Sequence, residues 1–273
     1  MIRSTPLLLA GCLAASSLIL APSSLLFAAP AATTAPTTTP ARTAAEAGRV
    51  DALLDKLDAR GKKLSDFTAD LKLTTIDNSL GDESARLGHV AYQRKADGSA
   101  RLRVVFDQKI LGDNPPKKER LEYLLADGWL IERDYRLKKE ISRQVAKPGE
   151  KVNLLKLGEG PFPLPLGQDK AEVHKLFTVQ WIAPAEGDPA GSAHLQLVPR
   201  PDSQFSRKFQ SLDVWVSADS DMPVRIQTVD RNGATTTTTD LSHVQVNTNP
   251  PEDTFRLEKL PEGWQRIDEP FAE

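Results

Sequence analysis

The sequence predicts a mainly β (α+β) fold: a curved antiparallel sheet forming an unclosed β-barrel, with an N-terminal helix and a helical or loop lid. Three observations predict it. Apolar residues recur at every second position over most of the chain, one segment near the start follows a helical period instead, and one proline-rich apolar stretch follows neither period. Alternation broken by short turns gives a sheet with one dry and one wet face.

The first segment, residues 1–31, has a charged start at Arg3, an apolar run from Pro6 to Ala29 and a small-residue exit at Ala29-Pro30-Ala31. That is the layout of a secretory signal peptide, and periplasmic export is expected. Ser16, Ser17, Pro22, Ser23 and Ser24 dilute the run, which argues against a permanent membrane span. Leu9-Ala10-Gly11-Cys12 also has the form of a bacterial lipobox, so Cys12 is either discarded with the signal or lipidated as an anchor. Cys12 is the only cysteine, and its loss would leave neither disulfides, cysteine metal ligands nor a thiol nucleophile.

The chain has 35 basic and 37 acidic side chains, a net charge of −2, and losing Arg3 makes it one unit more negative. A nucleic-acid partner would require a basic stripe, and none is present. Residues 32–43, rich in Thr, Pro and Ala, read as a solvated linker. Residues 44–268 are long enough for one β domain.

Thr43-Ala44-Ala45-Glu46 matches a capping box, and Val50, Leu53, Leu54 and Leu57 follow as one helical stripe ending near Gly61. Period-two strands come next: Phe67 to Leu73, Val90 and Tyr92, Leu102 to Phe106, and Leu121 to Leu125. Asp97-Gly98 and Asp127-Gly128 are turn signals, and Trp129-Leu130-Ile131 opens the next strand. Residues 152–167, VNLLKLGEGPFPLPLG, place proline at alternate positions, which fits neither a central strand nor a helix interior. This apolar loop needs a docking place. A short helix is expected over Lys170 to Phe177, then strands at 177–181, 193–198, 212–216, 224–228, 235–241 and 244–246, ten or eleven in all. Asn232-Gly233 is a strong hairpin signal.

A sheet of that many strands coils. With few coverings available, its concave face is either filled by its own side chains or left as a ligand space, and the pattern alone leaves both open. If ligand space exists, the lining residues are Leu71, Leu73, Val90, Tyr92, Leu102, Val104, Phe106, Trp129, Ile131, Val179, Trp181, Leu195, Leu197, Val214 and Val216. The lid would comprise Val50, Leu53, Leu54, Leu57, Phe162, Leu164 and Leu166.

The order of motifs resembles the outer-membrane lipoprotein carrier (LolA-like) family. After the leading helix come Phe67-Thr68-Ala69-Asp70-Leu71, Gly88-His89-Val90-Ala91-Tyr92-Gln93-Arg94 and Leu124-Leu125-Ala126-Asp127-Gly128-Trp129-Leu130-Ile131. Tyr135 to Lys139, Leu197-Val198-Pro199-Arg200, Phe209 to Val216, Met222-Pro223, Asp230 to Gly233, Phe255 to Leu257 and Pro261 to Trp264 complete the set. The resemblance spans about Ala45 to Trp264 and implies a cofactor-free periplasmic carrier or chaperone that shields lipid or lipoprotein acyl chains. It also implies an inner-membrane release complex and an outer-membrane receptor as partners, and a monomeric chain. Arg94 would tether the lid, with Lys95 standing where the family has proline. The same resemblance extends to a sensory or structural envelope module working through a protein partner, and to a lipid-anchored receptor if Cys12 is lipidated.

No enzyme is expected. His89, His174, His194 and His243 are scattered, metal-protease, nucleophile-elbow and phosphate-loop motifs are absent, and Asp127 and Asp230 sit in turns.

Overall fold

The computed structural model describes residues 44–147, 167 and 169–270. The expected signal segment and linker, Cys12, the expected cap residue Thr43 and the loop residues Phe162, Leu164 and Leu166 lie outside the described residues. Helix α1 (Ala44–Lys63) leads into β1 (Asp66–Asp77), β2 (Asp82–Arg94), β3 (Ala100–Leu111), β4 (Lys117–Ala126), β5 (Trp129–Asp134) and β6 (Lys139–Gln144). Helix α2 (Lys170–Leu176) precedes β7 (Phe177–Ile182), β8 (Ser192–Pro199), β9 (Phe209–Ser217), β10 (Pro223–Asp230), β11 (Thr235–Val246) and β12 (Gln265–Glu269).

All twelve strands form one sheet, in the order β12-β6-β5-β4-β3-β2-β1-β11-β10-β9-β8-β7. Its edges, β12 and β7, do not pair with each other, so the barrel is unclosed, as the alternation predicts. Every pairing is antiparallel except β12 with β6. The structure has β6 and β12 where the sequence suggests no strands. KEISRQ and QRIDE each carry a single apolar residue, so there is no alternation to detect. The expected strands 235–241 and 244–246 are one strand, β11, interrupted by a register shift opposite Thr68–Asp70.

Bulges provide curvature. Register shifts fall at Leu87/Gly88 between β2 and β3 and at Phe106/Gln108 between β3 and β4. At Gly88 the neighbouring strand comes so close that a Cβ would lie 1.9 Å from the Val105 carbonyl oxygen. Only glycine permits this approach. Asp127 and Gly128 both have positive φ (52° and 80°), the two-residue hairpin geometry that Asp-Gly favours.

On the inward face, side chains from α1, β1–β4, α2 and β7–β11 join in one buried cluster. Helix α1 buries Val50, Leu53, Leu54 and Leu57 as its stripe predicts. Gly61 does not end the helix, which continues to Lys63; it is buried in the last turn, where Gly167 passes close by. Polar contacts fasten α1 to α2: Lys170 Nζ lies 2.9 Å from Asp55 Oδ2, and His174 Nε2 lies 2.8 Å from Asp51 Oδ1.

The outward face is crossed by the segment leading to β12. Arg101 donates to both Glu252 carboxylate oxygens (2.7 Å each) and stacks over Phe255, 4.1 Å from its ring centre. Arg103 Nη1 donates to the Thr254 carbonyl oxygen and Arg133 Nη1 to that of Glu258 (2.8 and 2.7 Å). Glu122, fully buried, accepts from Arg103 and from the Tyr135 hydroxyl, and Trp264 meets Tyr135 edge-on. This strap is held chiefly by charged hydrogen bonds, with Phe255 and Leu260 as its buried apolar anchors.

Candidate functional site: the inward face and its helix

Strand geometry decides which side chains face inward. Side chains opposite one another in the register share a face. Phe67 opposes Tyr92, Tyr92 opposes Leu102 and Leu102 opposes Leu125, so one inward row runs across β1 to β4. Leu71, Val90, Tyr92, Leu102, Val104, Phe106, Val179, Leu195, Leu197, Val214 and Val216 lie in the buried cluster, and Leu73 and Trp181 pack against it half-buried.

Trp129 and Ile131 are corrections. β5 presents Leu130 to the cluster, and neither Trp129 nor Ile131 belongs to it. The two-residue turn explains this: it pairs Ala126 with Trp129 and Leu125 with Leu130, so Leu130 shares the face of Leu125. Sequence reasoning also passed over Leu64, Phe67, Phe177, Phe205, Leu212 and Met222 as lining residues, all at most 1% exposed. For Phe67 and Leu212 the signal was the same alternation that identified their strands.

Arg94 stands at the end of β2 and reaches α1. Its Nη2 donates to the Gly61 carbonyl oxygen (2.8 Å) and its Nη1 to that of Lys62 (3.3 Å). These carbonyls belong to the last helical turn, which lacks intrahelical partners and carries the negative end of the helix dipole. A guanidinium is therefore well matched to them. Lys95, beside it, pairs with Asp127 (3.0 Å) in the β4–β5 turn.

Burial raises the phenol pKa of Tyr92, and hydrogen bonding with Arg94 partly opposes it. Tyr92 stacks on Phe67, ring centres 5.5 Å apart. Burial also raises Tyr123, helped by the nearby Glu132 carboxylate.

The histidines are not isolated. His89 and His243 place their Nδ1 atoms 2.8 and 2.7 Å from the two oxygens of Asp70, on the outward face. Both histidines hold the Asp70 carboxyl below its usual range, His243 more strongly. Sequence spacing gives no hint of this group, whose members are up to 173 residues apart. They border a cleft of about 410 Å³ that also involves Arg103, Gln245 and Thr254. His194 stacks on Trp215 and meets Asp213 at 2.9 Å. Among the described residues no group of three or more His, Cys, Asp or Glu could hold a metal, and no helix is long and apolar enough to cross a membrane. Asp230 accepts from the Thr235 amide, a turn-stabilising contact.

No family model matches the chain, and no curated protein matches it. Several solved structures are similar. The crystal structure of MucB aligns at a TM-score of 0.45 and 14% identity over 78% of this chain and 64% of MucB, so the chain spans less than two thirds of that protein's length. An uncharacterized conserved protein from Thermus thermophilus aligns at 0.45 and 12% identity over 81% of this chain and 99% of its own. A putative outer membrane lipoprotein-sorting protein domain from Vibrio parahaemolyticus aligns at 0.35 and 13% identity, over 75% and 95% respectively. Matches this distant give no residue-level correspondence.

Proposed function

We propose that the chain is a periplasmic LolA-like carrier, binding lipid or lipoprotein acyl chains against the inward face of the sheet for outer-membrane sorting. The observation that carries this reading is an unclosed sheet with a broad apolar cluster on its inward face, against which packs a helix whose last turn is held by hydrogen bonds from two side chains, Arg94 and Asn247. A closed barrel would trap its contents; an open one can admit and release them. Burying a chain contributes about 0.8 kcal/mol per CH₂, enough to make unaided passage through water prohibitive. Residues 1–31 would export the chain, and release and acceptance would involve an inner-membrane complex and an outer-membrane receptor.

The test is lipid extraction from natively purified protein, followed by mass spectrometry. A lipid or acylated peptide recovered near equimolar amounts supports the carrier. Lipid-free protein that also takes up no apolar dye would overturn it. That outcome would favour a second reading, an envelope module acting through a protein partner, for which the outward cleft beside Asp70, His89 and His243 is the motivating observation.

A further inference from the structure

The inward face changes character along the strands. Phe67, Leu71, Tyr92, Val104 and Phe106 make it apolar near the α1 end of β1–β3. Further along the same strands the inward positions become cationic. The register places Leu73 opposite Arg86, Arg86 opposite Lys109, and Lys109 opposite Lys117. Three basic residues thus cross adjacent strands in one row, beside the apolar floor.

They are poorly neutralised. Among the described residues, Glu119 is the carboxylate within 4 Å of Arg86 and Lys109, with Arg86 Nε at 3.6 Å and Lys109 Nζ at 4.0 Å, both too long for hydrogen bonds. Arg86 Nε is buried without a hydrogen-bond partner, while the side chains of Arg86 and Lys109 are about 30% and 28% exposed. The neighbouring Glu132 is paired with Arg143 at 3.3 Å. Farther out, Asp82 and Asp77 oppose each other in the register. Asp82 lies four residues from Arg86, about 13 Å along an extended strand, too far to compensate it. Two cations sharing one carboxylate, half-withdrawn from water, leave excess positive charge and an unfilled donor.

We infer that this row binds the anionic head of the amphiphile whose chains lie against the apolar floor. The inference rests on the carrier reading and narrows it to ligands with a phosphate or carboxylate head. The order of floor, cation row and open strand ends matches the order of tail, anionic head and solvent in such a molecule. A guanidinium offers paired donors to two oxygens of one anion, and Lys109 and Lys117 add charge. A neutral glyceride would leave the Arg86 donor unfilled.

Binding of dioleoylphosphatidylglycerol and of dioleoylglycerol to the purified protein, measured side by side, tests this. A parallel pair, oleate and oleyl alcohol, separates carboxylate from phosphate recognition. The expected preference for the charged member of at least one pair is about tenfold, the scale of one charge-assisted hydrogen bond. Arg86→Gln/Lys109→Gln should abolish the preference while neutral-lipid affinity stays unchanged, which also shows that the variant folds. Glu119→Gln should tighten binding of the anionic lipid only. Lys118→Gln, which removes the same charge from the outward face of β4, should keep the preference. Equal binding of charged and neutral members by the unmodified protein, persistence of the preference in the double variant, or its loss in Lys118→Gln would overturn the inference and leave the carrier reading standing. Failure to bind any of the four lipids would remove both.

Discussion

At the residue scale, Arg94 and Gly88 support the sharpest expectations. Arg94 meets two carbonyl oxygens at the end of α1, and charged hydrogen bonds of this kind contribute about 1.5–3 kcal/mol. Arg94→Ala should lower unfolding free energy by roughly that amount and speed uptake of an apolar dye, because the helix end is released. Unchanged uptake kinetics in a folded variant would show that Arg94 does not restrain access. Gly88 is a matter of space: a methyl group there would collide with the β3 backbone rather than with a movable side chain. Gly88→Ala should destabilise by about 3 kcal/mol or more in chemical denaturation, well beyond the usual cost of a strand alanine. A loss under about 1 kcal/mol would mean that the bulge yields easily. Neither role is legible in the sequence without the register. Glycine in a strand signals a bulge or a close approach without saying which backbone approaches, and Arg94 could be assigned a lid role only through family resemblance.

At the scale of elements, the outward strap and α1 differ in what holds them. The strap depends on charge: hydrogen bonding from Arg101 holds the Glu252 carboxyl below its ordinary value. A carboxyl depressed in the folded state contributes stability above its unfolded pKa and loses it as pH falls through the folded value. Residues 252–258 should therefore exchange amide hydrogens faster relative to the core once pH drops below the ordinary glutamate range, and Glu252→Gln should show fast exchange at neutral pH as well. Equal protection of the strap at neutral pH and at about pH 3 would contradict this. Helix α1 depends on burial, with Leu57 at 2% exposure, and Leu57→Ala should cost about 2–5 kcal/mol in thermal or chemical unfolding. The helix was legible because its stripe repeats at 3.6 residues. The strap was not, since it rests on pairings such as Arg101 with Glu252, 151 residues apart. The inward set on β5 was misread although its signal was present. The Asp127-Gly128 turn fixes Leu130 opposite Leu125, whereas the unbroken apolar run Trp129-Leu130-Ile131 hides the alternation.

For the whole molecule, an amphipathic sheet of twelve strands must curl to shelter its apolar face, and here it curls without closing. Period-two patterning made that architecture readable from sequence, and turn chemistry located the hairpins at Asp97-Gly98, Asp127-Gly128 and Asn232-Gly233. The polar strands β6 and β12 at one end of the sheet escaped because each carries a single apolar residue and so shows no alternation. The cation row on β2–β4 escaped for another reason: bulges shift the register, so spacing alone does not show that Arg86, Lys109 and Lys117 line up. The central claim is that acyl chains lie against the inward face. A photoreactive residue substituted at Leu73, half-buried and inward, or at Lys72, exposed and outward, measures this directly when the protein is irradiated with its copurified lipid. Lipid adducts from position 73 and none from position 72 are expected; adducts from both positions alike, or from neither, would contradict the claim.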